Sequence, residues 1–212
     1  MSILRRYALA LLAVLATFVS AAALYTRLPP RIAVQWNLAG VANHWMDKGH
    51  ALILPPVFSL MVTVFLIGCE RWAVREPSGS MSRIYPLAVA AVPALLLYCT
   101  VVLALQALGA PLDARSAAAF GGGGVLVFLG NLLGKVPRNG IFGIRTPWTV
   151  ASAEVWARTH RLGARLFVLA GLTGMVGACT GSAVPALLAA VVAAALSSTA
   201  YSCVVARRLG PH

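Results

Sequence analysis

The chain has 212 residues, of which 60% are hydrophobic and only 10% charged, more apolar surface than a soluble fold of this size can hide. Its 17 Lys and Arg against 5 Asp and Glu give a net charge of +12, but the basic residues fall between apolar runs. They read as topology signals and contacts to anionic headgroups, which sets direct nucleic-acid binding aside.

Charge-free runs near 20 residues mark helices able to cross about 30 Å of hydrocarbon. The first runs from Tyr7 to Tyr25. Arg5 and Arg6 ahead of it and small residues near Ala21 give it a signal-peptide flavour, but its length favours a retained helix. The outer loop Thr26 to His50 follows, then a second span from Ala51 to Cys69 with Pro55 and Pro56 near its start. The third span is Ile84 to Leu108, and a short fourth is Ala117 to Leu133. The inner loop Gly134 to Arg161 comes next, and from about Ser152 it reads as a helix entering the fifth span. Between Arg165 and Arg207 lie 41 uncharged residues, which as one helix would reach about 60 Å, so the chain must fold back. Gly181 to Pro185 is the expected turn. The predicted fold is all-α, a polytopic membrane bundle of six transmembrane helices. Its segments are an amino-terminal module at residues 1–70, the third span with its flanks at 71–116, and a carboxy-terminal module at 117–212.

Of the 17 basic residues, 13 fall on the side of the termini and the inner loop, and 4 (Arg27, Arg31, Lys48 and Arg115) on the other. The positive-inside bias predicts cytoplasmic termini. Cys69, Cys99, Cys179 and Cys203 sit in apolar runs without a CxxC pair and read as small buried side chains. No span carries an ionisable residue near its centre, which argues against a pump or ion-driven carrier. Asn131 and Gln106 are the strongest polar groups within spans, suited to bonding a neighbouring helix. Gly130-x-x-x-Gly134, Gly177-x-x-x-Gly181 and part of Gly121 to Gly124 suit close packing inside the bundle.

In the outer loop, His44, Asp47 and His50 are three apart and could share a helical face as a minimal metal set; a solvated pair at headgroup level is the plainer reading. Trp36 and Trp45 fit an interfacial belt, or a lid over spans one and two bracketed by Pro29-Pro30 and Pro55-Pro56. In the inner loop, three glycines and two prolines between Gly134 and Thr149 specify a shaped turn. Arg145 near Trp148 could stack on the indole or fork onto an anion, or the loop could rest on anionic lipid. Glu154 and Arg158 are a favourable i, i+4 pair, with Arg145 a further partner for Glu154 across the loop. No hydrolase, metalloprotease, P-loop or dinucleotide motif occurs.

The run Gly130 to Lys135, then Asn139 and Gly143-Ile144-Arg145-Thr146-Pro147-Trp148-Thr149, resembles the signature of the SdpI family, as do Glu154, Trp156, Thr159, His160, Arg161 and Gly163. Leu28-Pro29, Ile32, Trp36-Asn37, Gly40, Trp45 and Lys48 resemble the companion domain of unknown function. The resemblance implies a multipass protein of the bacterial cytoplasmic membrane, immunity to a secreted peptide toxin met at the outer face, and signalling by capture of a cytosolic repressor at the inner face. The implied functional residues are Asn131, Lys135, Asn139, Gly143, Arg145, Thr146, Pro147, Trp148, Glu154, Trp156, His160 and Arg161 inside, with Trp36, Asn37, Gly40 and Trp45 outside.

A non-catalytic immunity or signalling protein, without cofactor or metal, is the expectation. A small transporter or channel is the alternative. A membrane enzyme acting on lipid headgroups through His160, Glu154 and Arg145 comes last.

Overall fold

The computed structural model describes residues 3–37, 39–73, 81–140, 142–181 and 183–209, with the side chains of 71–73 excepted. A short helix α1 (Ile3–Arg6) leads into α2 (Ala8–Tyr25). Strands β1 (Arg31–Trp36) and β2 (Ala42–Asp47) follow, then α3 (Lys48–Ala73), α4 (Met81–Ala107), α5 (Ala114–Leu133), α6 (Pro147–Ala151), α7 (Ala153–Thr180) and α8 (Ala183–Leu209). Six of the helices, α2 to α5, α7 and α8, are long and apolar enough to cross a membrane, so the chain is an all-α multipass membrane bundle.

The spans gather in two groups of three. Helices α2, α3 and α4 pack together, as do α5, α7 and α8, and α4 joins the groups along α5. At the start of α2 the chain is anchored by an ion pair from Arg6 to Glu70 and by Arg6 donating to the Ser82 carbonyl at 3.3 Å. Tyr7 is buried there with Ala10, Met81, Tyr85 and Val89. Helix α5 lies so close to α7 that a Cβ on Gly171 would sit 2.5 Å from the Gly123 carbonyl. A Cβ on Gly130 would press on Val168 in the same way. The glycines thus serve packing within the bundle, where lipid supplies no hydrophobic drive and close van der Waals contact must do so. Helix α7 ends at Thr180 and α8 begins at Ala183, placing the fold-back at Gly181.

Several expectations need correction. The outer loop holds two strands: β1 and β2 form an antiparallel hairpin, with Arg31 opposite Asp47 and Ala33 opposite Trp45. His44 therefore sits on a strand opposite Gln35, while Asp47 caps α3 by accepting the His50 N–H at 3.1 Å and pairing with its ring. The three residues share no helical face. Pro55 and Pro56 lie inside α3 and do not bracket the loop. Membrane helices tolerate such prolines because neighbours and local adjustment re-satisfy the freed carbonyls. Asn131 donates to its own helix at Val127 (2.8 Å), and Gln106 to the Leu112 carbonyl in the α4–α5 connection (3.0 Å), so neither bridges spans. Of the cysteines, Cys99 and Cys179 face outward from the bundle and are not buried.

Candidate functional site

The segment between α5 and α7 is folded from within. Asn139 starts it: its side-chain oxygen accepts the Phe142 N–H at 2.9 Å, while its amide donates to the carbonyls of Pro137 and Phe142. An Asx turn of this kind is the usual reason for Asn in a tight loop. Gly143 comes next with φ +131°, a region that disfavours side chains. A Cβ there would also lie 2.4 Å from His160 Nε2 and 3.1 Å from the Trp156 ring. The chain passes Gly143 because the backbone must touch the imidazole: Ile144 N–H donates to His160 Nε2 at 3.0 Å.

That bond fixes the state of His160. Nε2 accepts and carries no proton, so Nδ1 holds the proton and donates to the Trp156 carbonyl at 2.8 Å. The imidazole is neutral, buried and stacked on Trp156, with ring centroids 4.0 Å apart. Trp156 in turn donates from Nε1 to the Val136 carbonyl at 2.9 Å and packs with Ile84, Leu132 and Val136. One indole thereby ties α4, α5 and α7 to the loop.

Thr146 then caps α6. It is extended (φ −108°, ψ 162°), and its hydroxyl and that of Thr149 each meet the other's backbone N–H, a reciprocal capping box that suits Pro147 at the first helical position. Thr149 also donates to the Ile144 carbonyl at 2.8 Å, and Thr146 Oγ1 lies 3.1 Å from Ser202 Oγ on α8. Arg138 closes the other end of α6 by donating to the Val150 and Ala151 carbonyls. Ser152 caps α7, and Glu154 in its first turn pairs with Arg158 at 2.5 Å.

Against this frame, Arg145 projects outward. It is exposed, and among the described residues it makes no ion pair or ring contact. The expected stacking on Trp148 and pairing with Glu154 are both absent there. The physical reason is the cap: the extended Thr146 turns the chain between Arg145 and Trp148, and Arg158 already holds Glu154. Trp148 is 38% exposed, and Lys135 and Arg161 are also at the surface. Asn131 faces away from this network on α5. The expected residues thus divide into a frame (Asn139, Gly143, Thr146, Pro147, Trp156 and His160) and a presented set (Lys135, Arg145, Trp148 and Arg161), with Glu154 beside them. Sequence reasoning placed Thr149 in the signature run without its capping role, and it missed Ser202 and the bonds that Arg138 makes to α6. The Thr146-x-x-Thr149 spacing signals a capping pair; nothing local could reveal Ser202, which is 56 residues away. Beneath the loop, an apolar cavity of about 420 Å³ opens between Tyr85, Leu129, Phe142 and Ile144.

At the far end, Asn37 builds the hairpin turn by accepting the N–H groups of Ala39 and Val41 at 3.0 and 2.9 Å. Gly40, in the turn, faces Asp113 and Arg115 at the start of α5. Lys48 closes the base by donating to the Leu28 carbonyl at 3.2 Å with its ammonium over Tyr25. Trp36 and Trp45 line a cavity of about 310 Å³ with Arg31, Gln106, Ala110 and Leu112. The hairpin accordingly leans over the end of α4 and the α4–α5 connection, and its strands pack on α3 and α4, so it covers spans two and three where spans one and two were expected. Asp47 is held below the usual carboxylate range chiefly by the His50 ring, then by the His50 N–H. Asp113 is lowered likewise by the Ser116 N–H and hydroxyl.

Residues 135–202 match the SdpI/YfhL protein family, and residues 11–59 match a domain of unknown function, DUF1648. The first match runs from the loop through α6 and α7 to Ser202, the α8 residue that touches Thr146; the second covers α2, the hairpin and the start of α3. Neither curated proteins nor solved structures gave a match. The loop with α6, α7 and most of α8 thus matches the SdpI/YfhL family, with a DUF1648 match ahead of it, in one multipass membrane chain.

Proposed function

We propose that this protein is a non-catalytic immunity and signalling protein of the bacterial cytoplasmic membrane. Its termini and signature loop face the cytoplasm, where the loop captures a cytosolic regulator, and the hairpin end meets a secreted peptide toxin. The observation that carries this reading is the contrast within the loop: a frame closed by its own hydrogen bonds holds out Arg145, a guanidinium without a carboxylate partner among the described residues and suited to forking onto one. The family match over the loop supports the role, and the basic bias of the loop end supports the orientation. A non-catalytic role agrees with His160, whose ring nitrogens are both engaged in holding the loop.

The test is photo-crosslinking in living cells with benzoylphenylalanine in place of Trp148 or Trp45. The proposal expects a soluble protein adduct at position 148 and a secreted peptide adduct at position 45. Adducts to lipid alone at both positions would reject it.

A further inference from the structure

A second charged feature lies at the loop end, sharing Glu154 and Arg161 with the signature but facing α8. Arg158, Arg161 and Arg165 of α7 line a crevice of about 410 Å³ whose far wall is Tyr201 of α8. The one acid in it, Glu154, is engaged with Arg158. Neither Arg161 nor Arg165 has a carboxylate within ion-pair distance among the described residues. The crevice therefore holds three guanidinium groups against one carboxylate and wants an anion.

Depth decides which one. Arg165 lies 15 residues before Thr180 at the end of α7, about 22 Å along the axis at 1.5 Å per residue, less than the roughly 30 Å of hydrocarbon. Its guanidinium thus sits at the boundary between acyl chains and headgroups, where an unpaired charge is costly and a phosphate is within reach. The same helix face continues as Leu169, Leu172 and Val176, at i+4, i+7 and i+11 from Arg165, and these are 59%, 45% and 63% exposed. A charged crevice running into an exposed apolar stripe matches a molecule with a phosphate at one end and an acyl chain at the other.

We propose that the crevice between α7 and α8 is a binding site for the phosphate of an anionic glycerophospholipid, held by the Arg161 and Arg165 guanidinium groups and the Tyr201 hydroxyl, with an acyl chain lying along Leu169 and Leu172. The site shares Arg161 with the presented set, but lipid binding does not require capture of a regulator there, and it holds for either orientation of the bundle.

The test is native mass spectrometry of the whole protein released from detergent in the presence of phosphatidylglycerol or phosphatidylcholine. The wild type should retain one phosphatidylglycerol in preference to phosphatidylcholine. Arg161→Gln/Arg165→Gln should lower that preference at least about tenfold, the worth of one charge-assisted bond. Arg207→Gln/Arg208→Gln, which removes as much charge from the same end outside the crevice, should leave it intact. Full retention in the first variant, or equal loss in both, overturns the proposal. Displacement of the lipid by millimolar glycerol 3-phosphate overturns the lipid assignment in favour of a soluble phosphate compound. If the double variant does not stay monodisperse, Arg165→Lys and Tyr201→Phe replace it: each should weaken retention at least about threefold, and undiminished retention in both overturns the proposal.

Discussion

Gly143 and His160 form a contact that leaves no atom to spare. A methyl group at Gly143 would both strain a backbone at φ +131° and collide with Nε2. Gly143→Ala should therefore lower stability by at least about 2 kcal/mol, read as a fall in melting temperature in detergent and in membrane abundance. His160→Leu should cost roughly 1–3 kcal/mol, because it strands the part-buried Ile144 N–H without an acceptor. Gly143 and His160 are both visible in the sequence as signature residues, but their contact is not, since it depends on the path taken by Asn139 and Phe142. The converse holds for Arg145 and Trp148. They are close in sequence and chemically matched, yet the Thr146 cap separates them, a local constraint that outranks a favourable pairing.

The helices were legible because apolar runs between charges are long, and lipid demands that each backbone satisfy itself. The hairpin was not: Ile32 and Val34 are the only β-branched residues in two strands of six, and the register shifts between Ala33 and Trp36 blur any alternation. What orders the hairpin is its ends, Asn37 at the turn and Lys48 and Asp47 at the base. Asp47 and Asp113, whose carboxyls folding holds low, both belong to this end of the bundle. A carboxyl depressed by folding stabilises above its unfolded value near 4 and loses that contribution as pH falls through its folded value. Amide protection factors across residues 31–50, taken relative to the intrinsic exchange rate at each pH, should thus fall below about pH 4, and Asp47→Asn with Asp113→Asn should abolish the change. At the α5–α7 seam, Gly171→Ala should reduce membrane abundance and melting temperature, since its Cβ would meet the Gly123 carbonyl. Gly124→Ala, with nothing within 4 Å, should be close to silent. An equal effect of the two would mean that the seam is not packed as described.

With six spans both termini lie on the face that carries the signature loop, and on the orientation proposed above that face is the cytoplasmic one. Reporters after Arg75, near Arg145 and at His212 should signal cytoplasm, and those near Asn43 and Asp113 the outside; Arg75 and His212 lie outside the described residues. The sequence carried the span count and the position of the signature loop, because charge and glycine patterns are local. It could not carry the division of that loop into frame and presented residues, which depends on Trp156 and Ser202 arriving from distant helices. That division is the centre of the account, and Arg145→Lys tests it most directly. Lysine keeps the charge but not the planar fork. Membrane abundance by blot should match the wild type, because Arg145 bonds to none of the frame, while toxin survival or reporter output falls to the level of Arg145→Ala. Normal output from both variants at normal abundance would contradict the account and leave the loop an anchor against the bilayer.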